Sequence, residues 1–501
     1  MQEREESETK YCDLLIIDEM LPCEFSPFRN LEYSHHLSYF KSSLLLTTEG
    51  WHSAFSNSTF DKHLAESSFP DAVKKRILKF SEFPNIVPKL AYVTFLHNLW
   101  QVFPYFKERS IPFILQLYPG GRFELNSSES DEQLKAITRS ELCRKIVVTQ
   151  GLSRDYLIDK IGCPQDKIEF IYGGVYETNN GFDFYKDKKL YGRDKKTLDI
   201  CFVAHRYGND TRKKGYDQFI AVAKALTPKF EDLRFHVVGD YTPDQIPLEH
   251  ATERIFFHGK KPQAFFREFY PQMDLILSVN RPDNESGGSF DGFPTGACME
   301  AGFSGVLNCI SDPLKMNVAF HDNKNIVILD ENTEETINRL QQLLSDTNRL
   351  YLLAYQNWRK FLQVFDRDQQ LLDRSKIITN ELIRNESLIV RPPARMSTMD
   401  SLVFSELKEQ LRQAVGNHLD AERRHDNLLA EYKKLATGFE QVTSELTHHL
   451  KAQAALQDDN TRLSELLANR IYIEGRLEHM LVRLLRTKPV KFLRQRLTRA
   501  R

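Results

Sequence analysis

The stretch Asp291–Gly305, DGFPTGACMEAGFSG, decides how the rest of the chain is read. An apolar hexapeptide, DLILSV (Asp274–Val279), stands before it, and a polar, glycine-rich segment (Arg281–Gly296) leads into it. The pattern predicts a strand, a loop, then a helix with Glu300 one turn in. Backbone N–H groups at such a junction lack intrahelical acceptors and carry the positive end of the helix dipole, which suits a phosphate. A carboxylate further along the same helix face can accept hydrogen bonds from ribose hydroxyls. Phosphate beside ribose points to a nucleotide; the plain alternative is an ordinary strand–loop–helix turn whose Glu caps itself.

Outward from this stretch the same alternation repeats. LDICFVA (Leu198–Ala204) is followed by His205, Arg206, a polar loop and Lys213-Lys214-Gly215, which opens the amphipathic run YDQFIAVAKAL (Tyr216–Leu226). LRFHVVGDY (Leu233–Tyr241), RIFFHG (Arg254–Gly259), VLNCIS (Val306–Ser311) and NIVIL (Asn325–Leu329) are further short apolar runs at βαβ spacing. Such spacing implies a parallel sheet covered by helices on both faces. Ligands of these sheets bind outside the carboxyl ends of the strands. Arg206, Lys214 and the Asp291–Glu300 loop all follow strand ends, and together they describe one basic, phosphate-sized pocket.

The amino-terminal part reads as a second α/β domain. Strands are predicted near Leu14–Asp18, Ser43–Thr48, Leu90–Phe95, Phe113–Leu117, Lys145–Thr149 and Lys167–Tyr172. The domain spans 1–185, the nucleotide-side domain 186–388, and the polar segment Thr178–Lys196 connects them. Arg367–Arg384 is predicted to be helical and to cross back to the first domain.

The ordered series of strand, Arg206, Lys214-Gly215 helix, VVGD, FHG and a glycine-rich loop ending in EA-x-x-x-G (Glu300–Gly305) resembles the donor-binding half of GT-B glycosyltransferases. It is most similar to the large retaining family that uses nucleotide sugars, family 4 or glycosyl transferases group 1. KIVVTQGLSRDYLIDKIGCPQDKIEFIYGGVYE (Lys145–Glu177) resembles the family's closing strand, helix and hinge strand. The resemblance runs over Asp13–Leu382. It implies an α/β GT-B fold of two Rossmann-like parallel-sheet domains, acceptor side first and donor side second. It also implies hexosyl or deoxyhexosyl transfer from a nucleotide diphosphate sugar to a glycan or lipid-linked acceptor, with retention and without an obligatory metal or other cofactor. On that basis Arg206 and Lys214 hold the diphosphate (Lys213 being the alternative to Lys214), helped by the backbone of Gly292, Phe293, Pro294 and Thr295. Glu300 holds the ribose, Asp291 approaches the donor sugar, and Gly259 lies where backbone reads the base.

The chain departs from the family pattern in three places. The family carries two glutamates eight apart; here Gly292 stands eight before Glu300, and Asp291 is the nearest carboxylate. A histidine of the first domain is replaced by Tyr118, which leaves His97 as the candidate catalytic histidine; packing against the following helix is its plain alternative. PFRNLEYSHHL (Pro27–Leu37) replaces a glycine-rich loop, and its Arg29, Glu32 and His36 are candidate acceptor contacts, with helix capping as the alternative.

Composition narrows the class of protein. The chain has 501 residues, enough for two or three domains with separate cores. Net charge is −1, so global electrostatics give no reason to expect nucleic acid. Seven cysteines are scattered without CxxC pairs, pointing to free thiols in a reducing compartment and no structural zinc. MQEREESETK has no apolar core of a signal peptide, and no run of eighteen apolar residues exists. The expected location is cytoplasmic.

Past Pro392-Pro393, in the linker 389–400, the pattern changes again. Leu428, Tyr432, Leu435, Phe439, Val442 and Leu446 keep a 4-3 spacing that extends back to Phe404 and forward to Leu467. A repeat of 3.5 residues sustained over about nine heptads predicts a coiled coil, 401–482, and a homo-oligomer through 404–467, with dimer and trimer both open. His418, His425, His449, Gln453 and Asn460 fall at core positions, where polar residues fix register. The tail 483–501 holds eight Lys or Arg and no acid, interleaved with Val490, Phe492, Leu493 and Leu497, as suits an anionic membrane surface. Coil and tail together suggest an enzyme of bacterial surface polysaccharide or lipopolysaccharide biosynthesis, peripheral at the inner face of the cell membrane. The rival readings are a catalytically degenerate GT-B scaffold recruiting enzymes through its coil, and other GT-B chemistry such as epimerisation or phosphorolysis.

Overall fold

The structure is a computed structural model that describes residues 10–389, apart from 20, 23–26, 48–59, 68, 179–180, 207–209 and 284–287. The predicted coiled coil, its linker past Ile389 and the basic tail lie outside the described residues.

Two parallel sheets build the described chain. The first holds β1 (Lys10–Asp18), β2 (Ser43–Thr47), β3 (Ile77–Lys79), β4 (Ile86–Thr94), β5 (Phe113–Leu117), β6 (Cys143–Val148) and β7 (Ile168–Phe170) in the order β3-β2-β1-β4-β5-β6-β7. The second holds β8 (Leu198–Ala204), β9 (Leu233–Gly239), β10 (Ile255–Gly259), β11 (Leu275–Ser278), β12 (Leu307–Ser311) and β13 (Val327–Leu329) in the order β10-β9-β8-β11-β12-β13. Strand order reverses between β1 and β4 and again between β8 and β11, and a crevice opens at such switch points. Helices cover both faces, so the strands read as unbroken apolar runs: Leu14, Leu15, Ile16 and Ile17 are all fully buried.

Two features differ from the predicted elements. β4 begins at Ile86, ahead of the predicted Leu90, and carries Pro88 opposite Cys12. β3, three residues long, is too short to show a period. Helix Tyr216–Leu226 has its predicted bounds, and the return helix runs Arg367–Ile389.

The chain crosses between the sheets twice, and the crossings meet. Arg367 at the head of the return helix pairs with Glu177 of the outbound segment at 2.8 and 2.9 Å, and its N–H donates to Thr178 Oγ1. Beyond it the return helix packs on β4, and Asn385 Nδ2 donates to the Lys89 carbonyl.

Candidate active site

Position 215 sets the geometry of the basic loop. Gly215 has φ +77°, and a Cβ there would lie 2.4 Å from the Val279 carbonyl oxygen at the end of β11. Only glycine lets the Lys213-Lys214 segment press against that strand end before the helix starts. Lys214 then reaches across the switch point, its Nζ lying 2.7 and 2.5 Å from the two carboxylate oxygens of Asp291. Lys213 turns instead to Ser289 Oγ at 3.2 Å and to the carboxylate of Asp283. Lys214, not Lys213, is therefore the lysine that meets Asp291.

Arg281 fixes this arrangement and was not foreseen. Its N–H donates to the Lys213 carbonyl, its guanidinium donates to the Arg212 carbonyl and Gln218, and it pairs with Asp217 at 2.9 Å. The only sequence signal is an arginine directly after a buried strand, and such a residue is as often a solvated cation. Arg206 follows β8, half-buried, and among the described residues no hydrogen bond or ion pair holds it. Its neighbour His205 lies 3.5 Å from Asp240, which also pairs with Lys260. Burial, then Lys260 and Lys214, lowers the His205 pKa, which places that residue within the field of Lys214.

Thr295 caps the helix Gly296–Phe303, its hydroxyl accepting the Cys298 N–H. The first-turn N–H groups of Gly296 and Ala297 have no intrahelical acceptor. Glu300 lies one turn further, where Gln263 Nε2 donates to it at 3.1 Å. Burial pushes the Glu300 carboxyl up to about 7, with the Gln263 hydrogen bond opposing the shift. Phe293 and Pro294 are buried. Gly259 stands on the edge strand β10 with φ +68°, four residues before Gln263, and is the predicted residue furthest out along the sheet.

The first domain closes the other side. Backbone bonds join Leu125 and Gly288 in both directions, and Phe123 packs edge-on to Phe290 at 5.5 Å. A Cβ on Gly292 would meet Gln150 Nε2 at 3.0 Å and Pro119 at 3.7 Å, so a side chain at this place would press on the Gln150 carboxamide.

His97 sits at the carboxyl edge of the first sheet, its Nδ1 3.0 Å from the Gly121 carbonyl and its Nε2 3.5 Å from Glu19. Burial works against the charged ring, but the Glu19 carboxylate outweighs it and raises the His97 pKa. Glu19, half-buried and paired with Arg29, is held down at about 2. Phe95, which precedes the helix Leu96–Arg109 carrying His97, has φ +71°, a strained conformation costing about 1–3 kcal/mol. Tyr118 donates to Glu32 at 3.0 Å.

The expectation that Arg29, Glu32 and His36 face an acceptor is corrected. All three are buried in the helix Pro27–Tyr39, because each is consumed internally: Arg29 by Asp18 and Glu19, and Glu32 by Tyr92, Tyr118 and Arg374, with His36 against Glu32. Among the described residues no cluster of histidine, cysteine or acid is arranged to hold a metal ion. No described helix is long and apolar enough to cross a membrane.

Two Rossmann-like parallel-sheet domains, facing each other across their strand carboxyl ends and joined by a returning helix, constitute the GT-B fold. Solved structures agree. A glycosyltransferase from Rickettsia africae is 14% identical over 74% of this chain and 99% of its own, with a TM-score of 0.52. Anabaena Alr3699/HepE, solved with UDP and glucose, is 14% identical over 74% of this chain and 100% of its own, at 0.51. Sucrose-phosphate synthase from Thermosynechococcus elongatus is 11% identical over 74% and 98%, at 0.53. These likenesses establish the fold. The sequence matches no protein-family model and no curated protein.

Proposed function

We propose that the chain is a glycosyltransferase that moves a hexosyl or deoxyhexosyl group from a nucleotide diphosphate sugar to a glycan or lipid-linked acceptor, with retention and without an obligatory metal. The observation that carries this reading is the meeting of Lys214 with Asp291 at the β8–β11 switch point, beside the capped helix that presents Glu300. Breaking the glycosidic bond leaves added negative charge on the diphosphate, which cations and oriented N–H groups stabilise. Lys214 supplies that charge by exchanging Asp291 for phosphate, Arg206 adds a second cation, and the amides of Gly296 and Ala297 complete the cradle. Glu300 holds the ribose, exchanging Gln263 for a sugar hydroxyl. Asp291, released from Lys214, faces the donor sugar. HepE, solved with UDP and glucose, shares the fold and supports a nucleotide sugar as the ligand class. Self-association through 404–467, a peripheral membrane contact through 483–501 and a role in bacterial surface polysaccharide synthesis rest on sequence pattern.

The test is thermal stabilisation of the full chain by a panel of nucleoside diphosphates and nucleotide sugars, beside Glu300→Ala. Ligand that binds the native state alone raises stability as ln(1 + [L]/Kd). Stabilisation by one or two sugars, lost in Glu300→Ala, supports the reading. No stabilisation by any of them sinks it and leaves the scaffold.

A further inference from the structure

Three oxygens of the first domain have nothing to bond. Thr149 Oγ1, Gln150 Oε1 and Ser153 Oγ are buried and unpartnered among the described residues. Their residues are 1%, 2% and 0% exposed and follow the carboxyl end of β6 within about one helical turn. Buried polar groups are ordinarily paired, so a group of orphans marks a place for water or for ligand hydroxyls.

Gln150 also faces the second domain, at Gly292 of the donor loop. Its Nε2 stands 3.0 Å from where a Cβ of Gly292 would be. The space a carboxylate at position 292 would use to contact a donor sugar is therefore addressed from the opposite wall, by a neutral carboxamide. A carboxamide both donates and accepts, as a sugar hydroxyl does, and the flanking Thr149 and Ser153 hydroxyls do the same. None of the three carries charge, while the nearest acid of the loop, Asp291, is held by Lys214.

We propose that Gln150, flanked by Thr149 and Ser153, forms a neutral polar subsite that takes hydroxyl groups of the transferred sugar ring, making Gln150 a specificity-determining residue. The proposal rests on the glycosyltransferase reading. Entry of the ring requires the Gly292 loop to draw back from the carboxamide, and the missing side chain keeps that displacement small.

The experiment is calorimetric titration of the native chain, Gln150→Met and Gln150→Asn with UDP, UDP-glucose, GDP and GDP-mannose. For whichever pair the native chain binds, both variants weaken the sugar nucleotide about tenfold, the equivalent of one well-made hydrogen bond, and leave the bare diphosphate within about twofold. Gln150→Asn keeps the amide but withdraws it by a methylene, and it carries the test if Gln150→Met does not fold. Equal loss for both ligands, or no loss for either, overturns the subsite and leaves the glycosyltransferase reading intact. A native chain that binds none of the four overturns both.

Discussion

Arg374 Nε lies 3.5 Å from Glu32 Oε2, and both side chains are buried, so the last described helix is tied by its guanidinium to the first. The same guanidinium donates to the Gly173 carbonyl at 3.2 Å and to Gln370 Oε1 at 2.7 Å. Glu32, despite burial, is held at about 2 by Arg374 and its hydrogen-bond partners. This pair secures the return helix, and through it the closed circuit of the two domains.

Removing one partner strands a buried charge. Arg374→Met is expected to destabilise the fold by about 3–5 kcal/mol, read by urea denaturation. The double variant Arg374→Met/Glu32→Leu should recover a large part of that loss. A double variant no better than the single one would mean that packing, not charge, holds the helix.

On the proposed reading, Asp291 competes with phosphate for Lys214. Lys214→Met is expected to weaken nucleoside diphosphate binding by about tenfold or more, as befits a lost charge-assisted contact. Asp291→Asn should instead tighten binding of the bare diphosphate, because it releases the lysine, while lowering sugar transfer. Calorimetry with UDP and GDP reads the first two effects, and an equal loss in both variants would refute the competition.

Glu300 gives the stability a pH signature. Its folded pKa, about 7, is raised above the ordinary carboxyl value of 4.5 by burial. The folded state therefore binds more protons than the unfolded chain between those values, and stability falls as pH rises through that window. Glu300→Gln abolishes the penalty. The variant should match the native chain near pH 4 and exceed it at pH 8, by on the order of 1–2 kcal/mol once partial exposure is allowed for. Melting curves at the two pH values decide it: a difference that does not depend on pH contradicts the assignment.

Gly215→Ala tests the delivery of Lys214. The added Cβ meets backbone at 2.4 Å in a left-handed conformation, so neither rotation nor a flexible neighbour relieves it. A loss of about 2 kcal/mol or more is expected by thermal melting, with weakened diphosphate binding alongside.

Much of this was legible in the sequence. The second sheet's strands stand out because burial on both faces makes each an uninterrupted apolar run between polar loops. Lys214, Asp291 and Glu300 stand out because charged residues after strand ends mark the crevice. Gln150, Gln263 and Arg281 do not, since their roles come from partners on other elements and no local period announces them. Arg29 and Glu32 misled for the same reason: Asp18, Tyr92 and Arg374, which consume them, lie outside their own helix, and His36 is drawn in against Glu32. At Gly292 the sequence lacks a carboxylate, and the approach of the Gln150 carboxamide from the first domain has no local signal.

The joining of the two crossings at Arg367 and Glu177 has a mechanical meaning. The outbound segment and the head of the return helix are held side by side there by one ion pair, so the covalent and the ionic connection of the two sheets share a single place. The Leu125–Gly288 bonds join the domains a second time, on the face where the donor loop lies.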